Sequence, residues 1–259
     1  MRPSFNFNAG PAVLPPEVMQ QVKEELLDLQ GTGLSILEIS HRSKEYENIN
    51  LETQRLIKEL LKLPSGYDVL FLQGGASTQF AMIPMNFLTK GLAAGYVHSG
   101  TWSGKAIEEA RKLGETVIVA SSEAEQFRRV PDLQGLHAAP GTAYIHLTSN
   151  ETIAGTQYHD FIHTGEIPLI ADMSSDILSR EMDVTNFSLI YAGAQKNLGP
   201  SGVTIVIVRR DLLETIPSGI PAIMNYRMHA LNHSLYHTPP VFSVYVMNRV
   251  LKWIQNQGE

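Results

Sequence analysis

The stretch Ser188–Val208, SLIYAGAQKNLGPSGVTIVIV, decides how the chain is read. Leu189 to Ala192 reads as a short strand. Val203 to Val208 reads as a second, an apolar β-branched run with no polar face, as a strand covered on both sides requires. Between them lie Gly193-Ala194-Gln195-Lys196-Asn197 and then Gly199-Pro200-Ser201-Gly202. One lysine is therefore held on a glycine-punctuated turn between two core strands. Burial beside apolar strands disfavours an ammonium and leaves a fraction of free amine. A free amine can form a Schiff base with a carbonyl. The plain alternative is a turn lysine with its head in water.

Working outward, Pro168 to Met173 (PLIADM) is another buried-strand pattern, followed by Ser174, Ser175 and Asp176. A carboxylate at the carboxyl end of a parallel strand points into the crevice where open α/β sheets bind ligands. Asp172 then stands one strand and one short connection before Lys196. A pyridoxal phosphate site needs such a pair, a lysine for the carbonyl and an acid for the pyridine nitrogen. Asp172 as a helix cap or turn residue is the competing reading.

The whole chain sets the bounds. Its 259 residues are enough for one large domain or two small ones. With 43% hydrophobic and 18% charged residues, it has the composition of a folded globular protein. A net charge of −6 without a basic stripe argues against a nucleic-acid partner. The chain has no cysteine, which excludes disulfides and thiolate metal sites. No signal-peptide pattern follows Met1, and no apolar run reaches transmembrane length, so a cytoplasmic protein with no membrane partner is expected.

In chain order, residues 1–15 read as an extended arm rich in Pro and Asn, and residues 16–259 as one domain. Glu17 to Gln30 has a helical apolar face through Val18, Val22, Leu26 and Leu29, with Gly31 stopping it. An irregular segment then carries His41 and Arg42. Such a pair suits an anionic group, although without context a surface salt bridge is the better reading of Arg42. Ser43 can cap the next helix, which Pro64 ends. Tyr67 to Leu72 is a strand running into Gln73-Gly74-Gly75-Ala76-Ser77-Thr78 and an apolar helix. A strand, a small-residue turn and a helix can offer backbone N–H groups to a phosphate. Gly95 to Ser99 is a strand, and Trp102 follows it at the crevice, to stack on a ring or simply to pack. Ala143 to Leu147 is a strand ending in Thr148-Ser149-Asn150-Glu151-Thr152. Strands alternating with helices predict an α/β fold with a mainly parallel sheet and helices on both faces. Beyond it, His229, His233 and His237 recur every four residues. On a helix they would share a face and could hold a metal, but Pro239 and Pro240 and the lack of a nearby carboxylate disfavour that. Val241 to Gln255 reads as a final amphipathic helix.

Together the blocks NFNAGPAVLP, SHRSKEYE, LFLQGGASTQF, TSNETIAGTQ, ADMSSDILSR, YAGAQKNLGPSGVTIVIVRRDLL and HTPPVFSVY resemble the phosphoserine aminotransferase family, fold-type I pyridoxal phosphate enzymes. The likeness runs from residue 6 to the end. It implies amino transfer between L-glutamate and 3-phosphohydroxypyruvate, giving O-phospho-L-serine, in serine and bacterial pyridoxine synthesis. It also implies a homodimer. By the same resemblance Lys196 is the Schiff-base lysine and Asp172 the pyridinium partner. Trp102 stacks on the ring, Thr152 lies near its phenolate oxygen, and Ala76, Ser77 and Gln195 hold its phosphate. His237 and Thr238 reach that phosphate from the neighbouring subunit, and His41 and Arg42 hold the substrate's acidic distal group. Position 237 is commonly Asn in the family and is His here. Position 77 is Arg in some members and Ser here. The family carries a C-terminal small domain, with the arginine for the substrate α-carboxylate, that this sequence is expected to lack. Arg227 and Arg249 are the remaining candidates for that contact. A cofactor-binding, dimerising domain without turnover and a histidine-based metal protein are the alternatives.

Overall fold

The computed structural model describes residues 4–136 and 138–258. Met1–Pro3 of the expected arm and Glu259 of the expected domain lie outside the described residues. Helices α1 (Pro16–Glu25) and α2 (Lys44–Leu60) precede strand β1 (Tyr67–Leu72), followed by α3 (Gly75–Phe87), β2 (Ala93–His98), α4 (Thr101–Arg111) and β3 (Thr116–Ser121). Next come β4 (Thr142–Thr148), the short β5 (Asn150–Glu151) and β6 (Thr156–Gln157), then β7 (Leu169–Asp172), β8 (Leu189–Gly193) and β9 (Thr204–Arg209). Helices α5 (Arg210–Glu214), α6 (Tyr226–Leu231) and α7 (Val241–Gln257) complete the chain.

The main sheet has seven strands in the order β1-β9-β8-β7-β4-β2-β3. The pairs from β8 to β3 are parallel, whereas β9 is antiparallel to both β1 and β8. Strand β9 is therefore the one reversed member of an otherwise parallel sheet. The connection from Ala194 to Val203 explains the reversal, because a parallel crossover needs a dozen or more residues.

The apolar runs are continuous because both faces are covered. Val69 and Phe71 enter one core while Leu70 and Leu72 enter the other, and Ile205 and Ile207 part from Val206 and Val208 in the same way. Helices α1, α2 and α7 cover the first face through Val22, Leu56, Ile57, Val244 and Leu251. Helices α3, α4 and α6 cover the second through Phe80, Ile83, Ile107 and Tyr226. Each such side chain contributes about 1.5–3 kcal/mol by leaving water.

One expectation changes. The helix expected to run from Glu17 to Gln30 ends at Glu25. Beyond it the chain turns back on itself: Ser35 Oγ donates to Leu26 O at 2.6 Å, and Asp28 accepts from Gly33 N at 2.8 Å. The three spaced histidines share no helix, because α6 stops at Leu231 and His233 and Ser234 both take positive φ. No described helix is long and apolar enough to cross a membrane.

Candidate active site

Thr148 of β4, Asp172 of β7 and Tyr191 of β8 lie in one register, so β4 and β7 end level with one another while β8 runs on to Gly193. The loop after β8 folds over that edge. Ala194 N donates to Val203 O at 3.0 Å, while Leu198 N and Gly199 N both donate to Ala194 O, at 3.0 and 2.9 Å. Gly199 permits a close approach, since a Cβ there would come within 3.2 Å of the Met247 Cα on α7. The N-terminal arm presses on the loop from the other side. Ala12 N donates to Gln195 O at 2.8 Å, and a Cβ on Gly10 would reach the Lys196 stem at 3.0 Å.

The Lys196 side chain is thus fixed from two directions, and its Nζ donates to Thr152 Oγ1 at 2.7 Å. Burial depresses its pKa, and the negative charges of Asp172, Glu151 and Asp176 only partly offset that. The free-amine fraction of Lys196 is therefore larger than that of a lysine in water. Asp172 is 5% exposed, and its Oδ1 accepts from Ser174 N at 2.9 Å and Ser174 Oγ at 2.6 Å. Burial raises its pKa. The Ser174 hydrogen bonds and the Lys196 charge work against the rise, and Glu151 adds to it. Ser149 Oγ lies 2.9 Å from Asp172 O and 2.6 Å from Asp176 Oδ1, which ties the ends of β4 and β7 together.

These groups open on a cavity of ≈ 170 Å³ lined by Gly75, Ala76, Ser77, Trp102, Thr148, Asn150, Asp172, Ser174, Ser175, Gln195 and Lys196. At one end is the first turn of α3. Gly74 has φ +88°, and a Cβ there would sit 1.8 Å from Thr78 Oγ1, so only glycine fits. The first backbone amide to bond within this helix is Thr78 N, to Gly74 O at 3.3 Å. The amides of Gly75, Ala76 and Ser77 are left at the positive end of the helix, an arrangement that suits a phosphate. On one side is Trp102, whose ring centroid is 5.5 Å from Lys196 Nζ and 4.7 Å from Lys105 Nζ. Thr148 Oγ1 and Trp102 Nε1 are buried without a hydrogen-bond partner among the described residues. An amine, a buried acid, a flat aromatic, a helix end and an orphaned hydroxyl are the donor set that a phosphorylated pyridine aldehyde would satisfy.

Of the residues marked in the sequence, Ala76, Ser77, Trp102, Asp172, Gln195 and Lys196 line this cavity, and Thr152 joins them through Lys196. His41, Arg42, His237 and Thr238 do not line it. They form a separate group: burial and the nearby charges of Arg42 and His237 depress the His41 pKa, and Gln73 Nε2 donates to Thr238 O at 3.2 Å. No group of three or more His, Asp or Glu stands ready for a metal among the described residues. His229 is instead buried, with its Nε2 2.8 Å from Ile223 O. Sequence reading passed over Ser149, Glu151, Ser174 and Asp176. The only signal for them was a gathering of polar residues just past two strand ends.

Residues 4–259 match the aminotransferase class-V family model. The chain is 54% identical over 258 residues to the phosphoserine aminotransferase of Geobacillus kaustophilus, covering 100% of this chain and 71% of that protein. The chain belongs to the phosphoserine aminotransferase family. The phosphoserine aminotransferase structure from Bacillus circulans subsp. alkalophilus superposes with a TM-score of 0.96 at 55% identity, over 98% of this chain and 70% of that one. A pyridoxal-phosphate-bound family member from Trichomonas vaginalis gives a TM-score of 0.92 at 35% identity, covering 99% of this chain and 72% of that one.

Proposed function

We propose that this chain binds pyridoxal 5'-phosphate in the cavity above β7 and β8. With it the chain exchanges an amino group between L-glutamate and 3-phosphohydroxypyruvate, with O-phospho-L-serine as product. The observation that carries this reading is the Lys196 amine and the buried Asp172 carboxylate opening on one cavity beside Trp102. When bound, the cofactor supplies an aldehyde for the amino group and a ring that accepts electron density.

The chain's own residues supply the rest. Lys196 Nζ, with its depressed pKa, removes the proton from the substrate Cα and returns it. Thr152 Oγ1 fixes where that nitrogen stands. Asp172, its carboxylate fixed by Ser174 N and Oγ, would hold a proton on the pyridine nitrogen through its negative charge. Trp102 would stack on the ring, and the α3 amides of Ala76 and Ser77, with Gln195, would hold the phosphate. The arm and residues 16–259 act as one cofactor-binding unit in a homodimer. His41, Arg42, His237 and Thr238 sit together outside their own cavity, which supports delivery of all four to a neighbour's site. There His237 and Thr238 would meet the phosphate, and His41 and Arg42 the substrate's distal anion.

Arg227 and Arg249 are occupied elsewhere. Arg227 donates to the carbonyls of Leu213, Glu214 and Ile216, and Arg249 pairs with Glu25 at 2.8 Å. Neither is placed to supply the α-carboxylate contact. Single-turnover spectroscopy with L-glutamate tests the amino transfer. The site itself is tested by borohydride reduction with pyridoxal phosphate and peptide mapping. Label on Lys196 is expected; label on another lysine, or none, overturns the assignment. Light scattering should give a dimer mass, and a monomer that binds the cofactor tightly would contradict the crossing of His237 and Thr238.

A further inference from the structure

Glu151 is a carboxylate only 1% exposed, and nothing in the chemistry above uses it. It sits on the β5–β6 hairpin, closed by Gly155 N donating to Glu151 O at 2.8 Å. Its side chain reaches into the start of α4. Oε2 accepts from Trp102 N at 3.0 Å, and Oε1 accepts from Ser103 N at 2.9 Å. Gly100 makes room for it, since a Cβ there would fall 2.9 Å from Oε2. The helix end already has a local device, because Ser103 Oγ accepts from Ser99 N and Gly100 N, both at 2.9 Å. A Ser or Asp from the chain just before the helix could satisfy the remaining amides. This chain instead brings a carboxylate from another strand and buries it near Asp172, at an electrostatic cost.

What the arrangement achieves is a link. The next residue after Glu151 is Thr152, which receives Lys196 Nζ at 2.7 Å. The residue whose amide Glu151 holds is Trp102, whose ring stands 5.5 Å from the same Nζ. One carboxylate therefore joins the aromatic face and the acceptor of the amine. We propose that Glu151 is a positioning residue. By clamping the first turn of α4 to the β5–β6 hairpin, it fixes the Trp102 ring and the Thr152 hydroxyl relative to Lys196, and so sets how tightly a cofactor ring is held.

The proposal rests on the pyridoxal phosphate reading, and its test keeps the two apart. The chain has two tryptophans, so W253F leaves Trp102 as the sole emitter. In that background E151Q keeps the size of the side chain but turns an amide N–H₂ toward one of the two backbone donors. The first readout is iodide quenching of Trp102 emission in the cofactor-free protein. The second is the dissociation constant for pyridoxal phosphate, from visible absorbance, with Trp102 present and in W102F. Greater quenching is expected. So is a roughly tenfold weaker affinity with Trp102 present, and a loss of under about threefold in W102F. Equal losses in both backgrounds, or unchanged quenching, would overturn the proposal. If the parent chain binds no pyridoxal phosphate, the cofactor reading fails and quenching alone judges Glu151. If E151Q shows no cooperative unfolding, E151D replaces it: the charge stays, the carboxylate withdraws by one methylene, and the same comparisons decide.

Discussion

Replacing Thr152 by valine removes a hydroxyl and keeps the side-chain shape. The change deletes the acceptor that Lys196 Nζ meets at 2.7 Å. A hydrogen bond with a charged partner contributes about 1.5–3 kcal/mol, and one between neutral groups about 0.5–1.5. Thr152 therefore favours the ammonium over the free amine by roughly 1–1.5 kcal/mol. At ~1.4 kcal/mol per tenfold, T152V should lower the Lys196 protonation midpoint by about one pH unit. The direction adds to an existing one, since burial already outweighs the pull of Asp172, Glu151 and Asp176. The assay is trace acetylation of the cofactor-free protein across pH, with peptide mass spectrometry reporting on Lys196. Below the midpoint, acetylation of Lys196 in T152V should rise about tenfold over the parent. T156V on the same hairpin is the control, because the Thr156 hydroxyl makes no hydrogen bond to Lys196. A midpoint that stays in place or moves up in T152V would refute the reasoning, since the hydroxyl would then not be stabilising the charged form.

Two further outcomes are expected. Burial raises the folded-state pKa of Asp172 above 3.8, so its contribution to stability is full below that value and is lost as pH rises through the raised one. Cofactor-free D172N, which cannot ionise there, should thus gain stability relative to the parent as pH rises, while binding pyridoxal phosphate more weakly; urea melts of both proteins that differ by a constant amount at every pH would contradict this. Arg249 is 3% exposed and bonds Glu25, and its guanidinium carbon lies 4.8 Å from the Tyr245 ring centroid. R249M should cost about 3 kcal/mol of stability and leave borohydride labelling of Lys196 in the folded protein unchanged; a lost label at full stability would return Arg249 to the site.

Much of this site is legible in the sequence. Tyr67 to Leu72 was bounded correctly because a covered strand has to be apolar on both faces. Lys196 and Asp172 stand out as a pair, because an amine and an acid at the ends of two neighbouring buried strands fill complementary roles, whereas either alone reads equally as a turn residue. The direction of β9 was not legible in its residues, since an apolar run reads the same both ways, although the length of the Ala194–Val203 connection held the answer. The early end of α1 was hidden for a different reason. Leu26 and Leu29 keep the helical period, but Asp28 and Ser35 offer the backbone other partners, and Leu27 is left 82% exposed. Glu151 was invisible because its role depends on Trp102 and Ser103, which are distant in sequence. The β5–β6 hairpin that carries it has strands of two residues each, too short to show a period.

The reversed strand β9 has a consequence for how the polypeptide can be made and cut. It lies between β1, near the front of the chain, and β8, so until it arrives both of those strands present open edges with unpaired amides and carbonyls. A fragment that stops between Asn197 and Thr204 keeps Lys196 and both β1 and β8, but it also carries two sticky borders that face the same gap. Such fragments should pair with one another instead of closing, and collect in the insoluble fraction. A usable boundary for expression therefore lies after Arg209, and in practice after α7, which packs over the loop that β9 completes.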